Sequence, residues 1–149
     1  MGASEQKGTA AGTGLEIGSP AAGRRVLLAE DDTPMRCLLA LALRADGFEV
    51  VEAATGGELM ERIAEQVSDG LADDRKVDLI ITDLRMPMGT GLDAVSRLRQ
   101  RDRTTPVILI TAFGDEATHA AAASLNAHVF DKPFDLEDLR MAALYLTTA

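Results

Sequence analysis

From Arg24 onward the chain alternates short apolar runs with longer stretches of helical periodicity. "RRVLLAE", residues 24–30, is a buried-strand candidate. "TPMRCLLALALRADG" then reads as a helix: Thr33 suits an N-cap and Pro34 a first helical position. Met35, Leu38, Leu39 and Ala42 recur at helical spacing, and Gly47 lies beyond the end. "FEVVEAA" predicts a second strand, and Thr55 to about Gln66 a helix with Leu59 and Ile63 inward. "VDLIITD", 77–83, is an apolar strand ending in an acid, followed by a Gly-containing loop and a helix over about 91–100. "TPVILIT", 105–111, is another buried strand, with a helix over about 115–125 after it. "HVFD" is a short strand and "DLEDLRMAALYLT" the last helix. A strand–helix unit repeated five times, with near-continuous apolar strands, predicts an α/β fold: a five-stranded parallel sheet, doubly wound, with helices on both faces. In such sheets ligands gather beyond the carboxyl ends of the strands.

Composition divides the chain at about residue 23. Residues 1–23, rich in Gly, Ala, Ser and Thr and without periodicity, read as a flexible tail, and 24–149 as one folded domain. With 149 residues, 46% of them hydrophobic, the chain suffices for a single core. No apolar run reaches the ~18 residues of a membrane helix, and the start lacks a secretory pattern. The Met-Gly start is discounted as a lipidation signal because Gln6 stands where Ser or Thr is needed. One cysteine, Cys37, excludes an internal disulfide framework and is expected as a small core residue. These features point to a cytoplasmic protein. The net charge of −9 argues against DNA as a partner of the whole domain. The basic cluster "RLRQRDR", 97–103, is expected to be the solvated end of a helix.

The acids change the picture more. Glu30 and Asp31 end the first strand, Asp83 the third and Thr111 the fourth, and Lys132 follows the fifth, so a parallel sheet brings all of them to one rim. Carboxylates gathered there need a cation, and oxygen ligands without His or Cys suit Mg2+. A metal beside an ionised carboxylate points to phosphoryl chemistry, with Asp83 as nucleophile and Thr111 and Lys132 holding phosphoryl oxygens.

"VLLAEDD", "DLIITDLRMPMGTGLD", "PVILITAFG" and "VFDKPF", in this order, closely resemble the receiver domains of two-component response regulators. The resemblance runs from about Arg24 to Ala149. It implies the flavodoxin-like strand order 2-1-3-4-5. It implies Asp83 as phosphoacceptor from a histidine kinase phosphohistidine or a phosphotransfer protein. Mg2+ would be bound by Asp31, Asp83 and the backbone carbonyl of Arg85, with Glu30 acting through a water. Thr111 and Lys132 would contact the phosphoryl group, and Lys132-Pro133 matches a position that is often cis. The one lasting activity implied is the domain's own phosphorylation and dephosphorylation. Phosphoryl lifetime in the family depends partly on the places held here by Arg85 and Phe113. A downstream protein would dock on residues 115–149, and the match to the whole folded region suggests a stand-alone module.

Three departures accompany the resemblance. The aromatic residue that usually works with the threonine stands three places before the lysine; here that place is Val129, between His128 and Phe130. "EQVSDGLADDRK", 65–76, lengthens the link between the second helix and third strand, as a longer helix carrying Leu71 or as a loop. Thr90 stands where an Asp is common. Asp32 is expected to cap or charge the following helix, Met35, Met60 and Met141 to be core, and His119 and His128 to be surface or edge residues. Three other functions fit parts of the pattern: a Mg-dependent phosphatase with an aspartyl-phosphate intermediate, a phosphorylation-independent interaction module, and a flavin-binding carrier. The 3% aromatic content and the acids at the phosphate position oppose the last.

Overall fold

The computed structural model describes residues 19–86, 89–112 and 114–148. Five parallel strands form the sheet: β1 Arg25–Ala29, β2 Glu49–Ala53, β3 Leu79–Asp83, β4 Val107–Thr111 and β5 His128–Asp131. Their spatial order is β2-β1-β3-β4-β5, the predicted one. Between and after them run α1 Thr33–Ala45, α2 Gly56–Gln66, α3 Gly91–Arg101, α4 Glu116–Ser124 and α5 Leu136–Thr147. In the Gly-containing loop after β3, Arg85–Met86 and Gly89–Thr90 pair as a two-residue antiparallel ribbon.

Alternation along the strands sorts the core into two layers. Leu28, Ile81 and Ile110 face α1 and α5, meeting Leu39, Leu43 and Leu139. Leu27, Ile80 and Leu109 face the other way, onto Leu59, Ile63, Ala94, Leu98 and Ala122 of α2, α3 and α4. The central strands β3 and β4 are buried throughout, as their apolar sequences require.

Local chemistry sets the helix ends. Asp32, not Thr33, is the N-cap of α1: its carboxylate accepts from the Met35 amide at 3.2 Å, and Pro34 sits inside the first turn. The carboxylate outcompetes the hydroxyl one residue on because it reaches the third amide ahead with a full charge. Thr55, Thr90 and Asp115 cap α2, α3 and α4 through the amide three residues on, and Asp135 caps α5 through the Glu137 amide, two residues on. Gly47, at φ +106°, carries the left-handed turn that ends α1.

Several side chains depart from expectation. Leu38 of α1 is 50% exposed and Cys37 is exposed; the buried stripe runs through Leu39, Ala40 and Leu43. Met141 is 55% exposed, whereas Met35 and Met60 are half-buried against the two core layers. Ser19–Gly23, on the tail side of the expected boundary, is folded: Ala21 is fully buried and its amide donates to the Asp46 carbonyl. Residues 1–18 of that tail lie outside the described residues. The 65–76 segment is a loop rather than a longer helix. α2 stops at Gln66, whose amide group both donates to and accepts from the backbone of Val77. A single 3₁₀ turn, Asp73–Arg75, follows. Finally, Arg99 in the basic cluster is buried, not solvated: it donates to the carbonyls of Leu125, Asp102 and Asn126. Among the described residues no helix is long and apolar enough to cross a membrane.

Candidate functional site

The carboxyl ends of β1, β3, β4 and β5 open on a cleft of roughly 210 Å³ that holds Glu30, Asp31, Asp83, Arg85, Thr111 and Lys132. All six residues singled out from the sequence are therefore brought together. Glu30 leaves β1 with its amide bonded to the Ala53 carbonyl, and its carboxylate accepts from the Asp32 amide at 3.1 Å. Asp31, next in line, is exposed at the mouth.

Asp83 closes β3 and is buried. Its backbone is held on two sides. The Thr82 hydroxyl donates to the Asp83 carbonyl at 2.8 Å, and the Leu84 amide continues the ladder to the Ile110 carbonyl. Gly91 passes so close that a Cβ there would lie 2.3 Å from the same Asp83 carbonyl oxygen. Only glycine allows the start of α3 to press on the acid's peptide. Thr111 is buried at the end of β4, and its carbonyl accepts from the Lys132 amide at 2.7 Å, which carries the sheet pairing up to the lysine. The Lys132-Pro133 peptide is cis.

One carboxylate oxygen from each of Glu30, Asp31 and Asp83 lies within 4.8 Å of the others. Lys132 Nζ stands 3.2 Å from Asp83 and 3.5 Å from Glu30. Burial, above all, pushes the Glu30 carboxyl up to about 7; its hydrogen bond with Asp83 and that residue's charge add to the rise, while the Asp32 amide and Lys132 oppose it. Burial also pulls on Lys132 in the opposite sense, but the carboxylates of Asp83 and Glu30 outweigh it and raise the ammonium above its ordinary range. Glu30 and Asp83 thus share the Lys132 amine, with the Asp31 carboxylate beside them. A hard divalent cation would fit this donor set, because all the candidate ligand atoms are carboxylate oxygens held close together.

The strand that follows explains the departure at Val129. Val129 packs on the α4 side of the sheet, whereas Phe130 points to the other layer, where its ring meets Phe134 edge-on at 6.0 Å between centroids. The neighbouring aromatic residue therefore lies in the layer opposite to Val129. His119 and His128 are exposed, as expected; His119 reaches the Asp131 carboxylate at 3.2 Å. Phe113 lies outside the described residues.

Sequence reasoning missed Arg36. Its side chain, 16% exposed, donates to the Glu30 carbonyl at 2.8 Å. The signal was its place one turn into α1, within reach of the acid pair.

Comparison with known proteins identifies the family. The model of the response regulator receiver domain matches residues 26–144, and the chain belongs to that family. It is a receiver domain of the two-component response regulators, a signalling module rather than a classical enzyme. The transcriptional regulatory protein PdtaR of Mycobacterium tuberculosis is 40% identical over 119 residues, 78% of this chain and 53% of PdtaR. The chain therefore spans about half the length of that relative. The response regulator receiver protein CpdR of Brucella abortus is 33% identical over 117 residues, 78% of this chain and 90% of CpdR. Among solved structures, the non-phosphorylated HemR receiver domain of Leptospira biflexa superposes with a TM-score of 0.71 at 27% identity, covering 85% of this chain and 95% of that one. A CheY-like receiver protein of Methanospirillum hungatei gives 0.72 at 21% identity, over 83% and 93%, and supports the fold.

Proposed function

We propose that this domain is switched by phosphorylation of Asp83, taking the group from the phosphohistidine of a histidine kinase or phosphotransfer protein. The observation that carries the reading is the convergence of Glu30, Asp31 and Asp83 within 4.8 Å, with Lys132 at 3.2 Å from Asp83. An Asp83 carboxylate oxygen attacks phosphorus, the P–N bond to the donor imidazole breaks, and the electron pair leaves with the imidazole nitrogen. Asp31, Asp83 and the Arg85 carbonyl would hold Mg2+, with Glu30 acting through a water. The ion's contribution is to neutralise charge developing on the phosphoryl oxygens. Lys132, already beside Asp83, takes one phosphoryl oxygen as a compact point charge, and the Thr111 hydroxyl takes another. Lysine's move from a carboxylate to the new phosphoryl group is the local event of the switch. The readout surface is residues 115–149, where α4, the edge strand β5 and α5 follow the cleft directly.

Intact mass after incubation with Mg2+ and acetyl phosphate tests this. Wild type gains one phosphoryl group and Asp83→Asn gains none. Equal masses before and after in wild type, with Mg2+ bound, would turn the reading to a phosphorylation-independent module.

A further inference from the structure

We propose that Arg36 is a positioning residue for the metal site: it sets the Glu30–Asp31 turn through the backbone and so tunes divalent-cation affinity without touching the ion. The inference rests on the reading of Glu30 and Asp31 as the metal-binding acid pair.

The geometry is a relay that ends at the site. Arg44 of α1 donates to Glu52 Oε2 at 3.1 Å and to the Val50 carbonyl at 3.1 Å. Glu52 of β2 is thereby fixed, and its other oxygen accepts from Arg36 Nε at 3.2 Å. Arg36 then spends a second donor on the Glu30 carbonyl at 2.8 Å. That carbonyl is the peptide between the two acids. Its plane decides where Asp31 leaves the chain and how far Glu30 leans into the cleft. The rest of the turn depends on the same peptide: the Asp32 amide returns to the Glu30 carboxylate, and the Asp32 carboxylate caps α1. A planar guanidinium holds its donors in a fixed fork that meets the Glu52 carboxylate and the Glu30 carbonyl together, whereas an ammonium is a compact charge on a flexible stem that must be ordered to reach both. The contact is also shielded, unlike an ordinary surface pair, because the Arg36 side chain is 16% exposed.

The proposal separates Arg36 from a residue that merely stabilises the fold. A structural role lowers the melting temperature and leaves the metal affinity of the folded protein alone. A positioning role weakens metal binding in protein that is fully folded. The experiment measures Mg2+ affinity by calorimetry, well below each melting temperature, for wild type, Arg36→Met, Arg36→Lys and Glu52→Gln. Amide hydrogen exchange at Asp32 and Met35 is followed in the metal-free forms. Removing an outer partner of a metal site weakens binding by about tenfold or more. Arg36→Met is expected to show that loss together with faster exchange at Asp32. Glu52→Gln should give a smaller loss in the same direction, and Arg36→Lys should recover only part. Folded Arg36→Met with wild-type Mg2+ affinity would overturn the positioning role and leave the metal site standing. Wild type that binds no Mg2+ would overturn the metal site itself, and this proposal with it.

Discussion

The two rims of the sheet treat buried charge in opposite ways. Among the described residues four charged side chains are buried, Asp46, Arg99, Glu30 and Asp83. Asp46 and Arg99 belong to the amino rim, where turns lead into the strands. Asp46, just before β2, accepts two bonds from Arg140, at 2.7 and 2.9 Å. Arg99 spends its donors on three carbonyls, two of them in the turn before β5. Nearby Asp102, before β4, accepts from the amides and hydroxyls of both Thr104 and Thr105. At the carboxyl rim Glu30 and Asp83 meet Asp31 with one lysine among them. At one rim each buried charge meets several partners of the chain, and at the other three carboxylates crowd within 4.8 Å of one another. This asymmetry makes the rims respond differently to substitution: losing a charge destabilises the first, whereas at the second the sign depends on which charge is lost.

The largest expected effect lies at the satisfied rim. Arg99→Met keeps the apolar stem but leaves three carbonyls without their donor. Such a loss in a buried setting should destabilise by about 3 kcal/mol. Denaturant unfolding checks it, and phosphorylation of the folded variant should be unchanged. A loss below about 1 kcal/mol would mean that water replaces the guanidinium and that this rim is not closed.

Protons should separate the rims next. Glu30 titrates at about 7 in the folded protein against 4.5 for the ordinary side chain. The folded state then holds that proton more tightly than the unfolded chain does. Its stabilisation is complete below 4.5 and is lost as pH rises through about 7. Metal-free protein should therefore lose roughly 2 kcal/mol between pH 5 and 7, and Glu30→Gln should flatten that slope. Asp102 is the mirror image. Burial opposes its ionisation, but the hydrogen bonds from Thr105 and Thr104 prevail and hold its pKa below the ordinary carboxylate range. Its contribution is present above that range and fades as pH falls through it, so Asp102→Asn should remove part of the acid limb instead. Parallel slopes in the two variants would break the comparison.

Removing a charge outright gives a smaller effect of either sign. Asp83→Asn relieves Glu30 of a neighbour while leaving Lys132 a partner. The metal-free fold should gain about 1 kcal/mol, and addition of Mg2+ should erase the advantage. Lys132→Met should shift stability by a similar amount the other way, since two buried carboxylates then lack their cation. A less stable metal-free Asp83→Asn would show that the Lys132 ion pair outweighs the repulsion.

How much of this was legible beforehand follows the range of the forces. The parallel sheet and its rim chemistry were readable because they rest on long apolar runs and on acids at their ends, whereas the strand order came only with the family resemblance. The residues misread were those whose fate depends on one distant partner. Arg99 looked like a solvated helix end until Leu125 and Asn126, far along the chain, supplied carbonyls for it. Arg36 carried no motif because its value lies in one bond to a carbonyl, which every residue possesses. Cys37, Leu38 and Met141 fit helical spacing but fall on the margins of stripes where a rotation of part of a turn decides burial. Helix α2 ended at Gln66 because its amide satisfies both backbone groups of Val77, a pairing that periodicity in Leu71 does not report. Val129 and Phe130 were readable as a departure, but only the strand's alternation put them in opposite layers.

The smallest effect tests where the site ends. His119 and Asp131 meet at 3.2 Å with side chains 45% and 52% exposed. A pair so open to water contributes little, because solvent screens it and ordering two side chains offsets the attraction. His119→Gln should change stability by less than about 0.5 kcal/mol and leave both Mg2+ affinity and phosphorylation by acetyl phosphate unchanged. The Asp131 carboxylate lies over Gly114, where a Cβ would fall 1.5 Å from it, so Gly114→Ala should displace it and break the same pair more forcefully. If breaking the pair by either route altered metal affinity, the carboxyl rim would extend past Lys132 to the start of α4. The unmatched charge of the cleft would then be shared over more of the domain than its four strand ends.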